Sequence, residues 1–215
     1  VFYGEFLGLV VVKSSWSGAT FNGWTVSTNG LTDAGNGALP IAPLVMDMST
    51  PNTLYGGGQQ IWQTTDAAAN WSSIRGALPA IPPAGIPLCS AIAVQPGTGI
   101  VWVGYNDGRV SVTFDGGATW DNVDENGVDN DGDGPEDPFP DRWVTDIAIN
   151  PNDSSEVLVT ASDWAGCCAV GPEVQTLYQR SIPAPSLGTP RWMAGSTSAP
   201  TSAYLPRKIG GRTGT

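Results

Sequence analysis

The sequence predicts an all-β protein assembled from small antiparallel sheets, and three observations lead there. Gly and Pro supply 28 and 18 of the 215 residues while charged residues make up only 13%. That charged share is about half the usual one, so turns are frequent and solvated helix faces scarce. The nine Trp sit in or beside short apolar runs bounded by Gly, Pro, Asn and Asp, the pattern of strands separated by turn chemistry. The third observation is internal repetition, which in a Gly- and Trp-rich sequence points to stacked β units.

The repeat is carried by an eight-residue frame, S/T-x-D-x-G-x-T-W. Thr113 to Trp120 reads TFDGGATW, Thr64 to Trp71 reads TTDAAANW, and Ser14 to Phe21 reads SSWSGATF, with Trp16 at the Asp position; the starts are spaced 50 and 49 residues apart. Before each frame lies a short apolar strand ending in a small residue: Phe2-Tyr3-Gly4, Leu54-Tyr55-Gly56 and Trp102-Val103-Gly104. A second apolar stretch closed by a polar turn recurs as well. It is Leu44 to Asp47 then STPN, Ile92 to Gln95 then PGTG, and Ile147 to Asn150 then PNDS. Each unit therefore reads as strands A, B and C, the frame as a turn, and strand D. Asn106-Asp107-Gly108 marks one B–C hairpin. In the turn, the Asp carboxylate accepts backbone N–H groups, Gly permits positive φ, and the aromatic packs inward beneath.

This frame resembles the Asp-box, or bacterial neuraminidase repeat, of sialidases, sortilin-type receptors, xyloglucanases and secreted β-propellers. The resemblance implies four-stranded antiparallel propeller blades, with Thr64, Asp66, Trp71, Thr113, Asp115, Gly117, Thr119 and Trp120 as structural box residues. The expected organisation is a partial first blade over 1–30 and blades over about 40–75, 88–123 and 142–194. An acidic insert occupies 124–141, and an irregular tail or closing strand 195–215. In the last unit, strands A and B fall at Trp143 to Ile149 and Val157 to Thr160. A loop with Cys167 and Cys168 precedes Thr176 to Ser181, and the box gives way to IPAPSLGTPRW. Val1 enters at strand B. About four blades are too few for an Asp-box propeller, so a partial propeller, fragment or open arc is expected rather than a closed four-bladed ring.

The net charge of −11 is local. Nine of the twenty acids lie between Asp121 and Asp141 without a Lys or Arg, so global acidity says little about partners. Within that stretch Asp129, Asp131, Asp133 and Asp137 follow the spacing D-x-D-x-D-G-x-x-D, which wraps carboxylates around a hard cation. The loop resembles the calcium loops of integrin-type propellers and thrombospondin type 3 repeats, with Pro140 where an EF-hand has its bidentate Glu. A structural Ca²⁺ is the expected cofactor. The absence of His excludes His-dependent catalysis and His-ligated metal sites, two Lys exclude a basic nucleic-acid binder, and the apolar runs are too short to span a bilayer.

Catalytic residues do not emerge. The seven Arg show no carboxylate-binding cluster, and Asp33, Asp146 and Asp163 are carboxylates without a spacing that pairs them. Trp16, Trp24 and Trp164 fall off the frame and are candidates for stacking against sugar rings. Cys89 either bridges Cys167 or Cys168, or all three are free thiols. The resulting expectation is an extracellular or periplasmic binding or scaffold propeller contacting glycan or protein, non-catalytic in this chain. Remaining blades or a subunit of a larger assembly are expected partners. The alternative is a segment of a sialidase-like or xyloglucanase-like glycoside hydrolase with catalytic residues partly outside the chain.

Overall fold

The computed structural model describes residues 1–80, 85–124, 142–154, 156–162 and, for its backbone, 176–181. All belong to one compact unit, Val1–Ala184. The chain is all-β, a series of small antiparallel sheets taken in sequence order. The first holds β1 (Phe2–Phe6), β2 (Val10–Ser14) and β5 (Thr25–Val26), with a separate hairpin of β3 (Trp16–Ser17) and β4 (Thr20–Phe21). The second is a four-stranded meander of β6 (Leu44–Met46), β7 (Leu54–Gly57), β8 (Ile61–Thr64) and β9 (Ser72–Arg75). The third repeats that meander with β10 (Cys89–Val94), β11 (Val101–Tyr105), β12 (Val110–Thr113) and β13 (Asp121–Asp124). The fourth shows β14 (Val144–Ile149), β15 (Glu156–Ala161) and β16 (Thr176–Ser181).

The strands carry apolar residues on both faces, so each sheet must be covered on both sides. Strand β11 makes the point: all five residues from Val101 to Tyr105 are buried. By the period-2 alternation of a strand, Val101, Val103 and Tyr105 face one way, into a cluster with Tyr55, Ile61, Cys89 and Ile92 against the second sheet. Trp102 faces the other way, into a cluster with Val144, Ile147, Val157, Val159 and Ala161 of the fourth. Leu54, Trp62 and Trp71 of the second sheet pack likewise with Leu9 and Val11 of the first.

Close approach between sheets requires glycine at one position. A Cβ on Gly57 would stand 2.5 Å from Cys89 Sγ, and one on Gly104 would run into Val144 Cγ1, in each case on the first strand of the following sheet. Gly57 lies opposite Ile61 and Gly104 opposite Val110, so these two are the equivalent glycines. The small residue that ends the apolar run in sequence, Gly56, lies one place away and meets Leu9 of the first sheet instead.

Replacing Gly104 with Ala is expected to lower unfolding free energy by about 1–3 kcal/mol through overpacking. Gly76, whose Cβ would meet nothing within 4 Å, serves as the control. Urea denaturation of Gly104→Ala and Gly76→Ala checks the difference.

Candidate functional site

The two well-formed copies of the repeated frame fold into the same hydrogen-bonded turn. Thr64 and Thr113 are buried at the ends of β8 and β12, and each donates its hydroxyl to the carboxylate two residues on, Asp66 or Asp115, at 2.8 Å. Each hydroxyl also accepts from the backbone N–H four residues on, Ala68 at 3.1 Å and Gly117 at 2.8 Å. The carboxylates reach further round the turn. Asp66 accepts from Asn70 N at 2.9 Å and Asn70 Nδ2 at 2.8 Å, and Asp115 from Thr119 N at 2.8 Å and Thr119 Oγ1 at 2.7 Å. Asn70 and Thr119 are thus the same position served by different chemistry.

These donors hold both carboxyls at about 2, against an ordinary 3.8; the Asn70 and Thr119 bonds are the largest causes. Hydrogen bonding to the charged form favours ionisation. The turn also demands left-handed backbone. Gly116 and Gly117 supply it at φ 73° and 99°, while in the other copy Ala67 and Ala68 adopt φ 60° and 62°.

The turn aims its aromatic at the preceding sheet. Trp71 Nε1 donates to Ser27 O at 2.9 Å, and Trp120 Nε1 to Ile74 O at 3.0 Å. Ser27 Oγ donates to Ala68 O, and a Cβ on Gly117 would lie 2.7 Å from Ile74 Cβ. Each turn is therefore a clamp on the outer strand of the sheet before it. Arg75, next to Ile74, completes the second clamp: its guanidinium lies 4.8 Å from the Trp120 ring centroid and 5.8 Å from that of Tyr105. It also donates to Asn122 Oδ1 at 2.8 Å. Sequence reasoning missed Arg75, because its register equivalent in the third sheet is Asp124 and the repeat gives no sign of it.

The first copy of the frame differs. With Trp16 in place of the carboxylate, residues 16–21 form the β3–β4 hairpin, Trp16 opposite Phe21. Ser14 remains buried, yet its hydroxyl lacks a partner. Trp16, Phe21 and Trp24 are 57%, 44% and 52% exposed, and the Phe21 and Trp24 rings meet edge to face at 5.7 Å. Uncharged polar groups accompany them: Asn22 Nδ2 donates to Ser15 Oγ at 2.7 Å.

The remaining carboxylates divide by role. Asp33 is buried and accepts from Gln60 N at 2.8 Å and Trp62 Nε1 at 3.0 Å, which makes it a structural acceptor. Asp47 accepts from Ser49 N at 2.8 Å and from Gly97 N of the next sheet at 3.2 Å. Burial raises its pKa, but hydrogen bonds from the Ser49 N–H, the Thr50 side chain and the Gly97 N–H outweigh it and the net shift is downward. Asn150 makes the equivalent local bond, accepting from Asn152 N at 2.9 Å. Asp146 is exposed on β14 and accepts from Ile147 N at 2.8 Å. Asp107 pairs with Arg109 at 2.7 Å across the Asn106-Asp107-Gly108 turn. Cys89 is a free, buried thiol whose pKa burial pushes up. Asp129, Asp131, Asp133, Asp137, Asp163, Trp164, Cys167 and Cys168 lie outside the described residues.

Three outcomes follow from the turn geometry. Thr113→Val is expected to cost about 1–3 kcal/mol by leaving the N–H of Gly117 unpaired, whereas Ser14→Ala, which removes a hydroxyl already without a partner, is close to neutral in the same urea titration. Ala67→Gly is expected to stabilise by about 1 kcal/mol by relieving left-handed strain. The two depressed carboxyls contribute stability that is complete above their ordinary 3.8 and lost as pH falls towards 2. The thermal midpoint of an Asp66→Asn/Asp115→Asn double variant should therefore fall less than that of wild type across that window.

No family model and no curated protein matches the chain. Solved structures do. The GH74 enzyme of Niastella koreensis matches with a TM-score of 0.52 and 16% identity, over 80% of this chain and 24% of that one. An ancestral GH74 enzyme matches at 0.49 and 13% identity, over 83% of this chain and 21% of that one. YCF48 bound to D1 peptide matches at 0.39 and 13% identity, over 66% and 41%. The chain thus spans about a fifth to a quarter of the length of the two GH74 enzymes and under half of YCF48, and its likeness to the Niastella enzyme is one of fold.

Proposed function

We propose that the chain is a run of Asp-box propeller blades forming a segment of a glycoside hydrolase, sialidase-like or xyloglucanase-like, with catalytic residues partly outside the chain. The observation that carries this reading is the pair of matching Thr-x-Asp clamps at Asp66 and Asp115. They are set in sheets whose fold is shared with a GH74 enzyme. The clamps are scaffold. Held ionised, their carboxylates cannot serve as general acids, and with their oxygens engaged by turn donors they are poor nucleophiles. Asp33 is buried and spent on Gln60 and Trp62. Asp146, by contrast, is exposed on β14 and takes no part in a clamp. A glycosidase requires two carboxylates across a cleft, and in this reading the pair is completed partly by residues outside the chain.

The test is a panel of fluorogenic glycosides and polysaccharides, offered to this chain and to a longer polypeptide containing it. Turnover by the longer polypeptide and none by this chain is expected. Absence of turnover by both would overturn the reading.

A binding propeller is the second reading, favoured by the exposed Trp16, Phe21 and Trp24 beside uncharged Ser15 and Asn22. Aromatic faces with neighbouring hydroxyl and amide groups suit a neutral pyranose chain. Here the expected result is glycan-array binding without turnover, lost in Trp16→Ala. Secretion to an extracellular or periplasmic space belongs to both readings; among the described residues no helix is long and apolar enough to cross a membrane.

The same proposal includes a structural Ca²⁺ at Asp129, Asp131, Asp133 and Asp137, supported by their alternating spacing in the sequence. Calcium should raise the thermal midpoint and slow proteolysis between Asp124 and Asp141, and chelator should reverse both. Identical curves with calcium and chelator would remove the ion from the proposal.

A further inference from the structure

Three Asn-Gly steps lie between β4 and β6, at Asn22-Gly23, Asn29-Gly30 and Asn36-Gly37. At such a step the backbone nitrogen of glycine can attack the side-chain amide before it, because no Cβ stands in the way. The sequence ranks the three alike, and the structure separates them.

Ring closure needs a free glycine N–H and a peptide that can turn. At Asn36-Gly37 the Gly37 N–H donates to Asp33 O at 2.8 Å, and a Cβ on Gly37 would lie 2.8 Å from Asp33 Cα. At Asn29-Gly30 the backbone is gripped: Trp71 N donates to Asn29 O at 2.8 Å, and a Cβ on Gly30 would run into Trp71 O. Asn22-Gly23 carries neither restraint. The Gly23 N–H has no hydrogen-bond partner among the described residues, and a Cβ there would meet nothing within 4 Å. Asn22 itself is exposed.

Two serines flank the Asn22 amide. Ser15 and Ser17 stand on either side of Trp16, and in extended chain residues two apart point the same way. Ser17 Oγ donates to Asn22 Oδ1 at 3.4 Å, and Asn22 Nδ2 donates to Ser15 Oγ at 2.7 Å. One hydroxyl therefore meets the oxygen on which negative charge builds during attack. The other meets the nitrogen that leaves.

We propose that Asn22 is a self-modification site, deamidated by its own chain with the help of Ser15 and Ser17. The Gly23 nitrogen loses its proton to water and bonds to Asn22 Cγ. The Cγ–Nδ2 bond breaks, and ammonia departs with a proton from the Ser15 hydroxyl, which solvent restores. Water then opens the cyclic imide at either carbonyl, leaving aspartate or isoaspartate at position 22. Conversion adds a carboxylate to the segment that bears the exposed Trp16, Phe21 and Trp24. The inference rests on chain chemistry and is independent of both functional readings.

The test is peptide mapping by mass spectrometry on the purified chain, incubated warm at neutral pH, with isoaspartate scored by methyltransferase labelling. Asn22 should convert about tenfold faster than Asn36, whose glycine must first give up a hydrogen bond. Ser15→Ala and Ser17→Ala should each slow Asn22 by about two- to tenfold and leave Asn36 unchanged. In guanidinium chloride the three steps should convert at similar rates, which assigns the ranking to the folded chain. Asn22 converting no faster than Asn36 in the folded chain would overturn the proposal. An Asn22 rate unchanged or raised in both serine variants would overturn the part given to the hydroxyls.

Discussion

The second and third sheets are apolar on both faces, and that single constraint organises the rest of the structure. A strand such as Val101–Tyr105, buried along its whole length, has no side to offer to water. A meander of four such short strands gains stability only when other sheets remove both faces from solvent. The requirement explains why glycine recurs at Gly57 and Gly104, where the first strand of the following sheet comes too close for a side chain. It also explains why the residues at equivalent positions alternate so regularly between the preceding and following neighbour.

Hydrophobic burial is non-directional, so it does not by itself set the register between sheets. The Thr-x-Asp turns supply the direction. The buried hydroxyl, the saturated carboxylate and two left-handed residues form a rigid corner, and that corner delivers the indole N–H of Trp71 or Trp120 to one carbonyl on the sheet before. Asp47 does similar work nearby, joining its own turn to Gly97 of the next sheet. Asp47, Asp66 and Asp115 are thus engaged in holding turns and sheets together.

Much of this was legible in the residues. The all-β class, the antiparallel order of strands and the local turn at Asn106-Asp107-Gly108 depend on neighbours a few residues apart, and hydrophobic alternation with turn chemistry reports them directly. The frame at Thr64 and Thr113 was legible for the same reason. The first copy was harder to read. Ser14 to Phe21 matches the frame at Ser14, Gly18, Thr20 and an aromatic, yet loss of the one carboxylate at Trp16 replaced the turn with a hairpin and left Ser14 without a partner. Cooperative turns of this kind fail as a unit when their central acceptor goes. The glycine position was misaligned by one residue, because the apolar run ends at Gly56 whereas the packing constraint falls on Gly57.

The sequence by itself determined the strands, their turns and the repeat, since these follow from interactions within a few residues or within one hairpin. Only the tertiary structure decided what each conserved-looking feature of the repeat is for. Arg75 beside Trp120, Asp33 beneath Trp62 and the free thiol of Cys89 against Gly57 all join segments tens of residues apart or depend on which sheet lies next to which. Side-chain periodicity states that a face is apolar. It takes the packed sheets to state which neighbour covers that face.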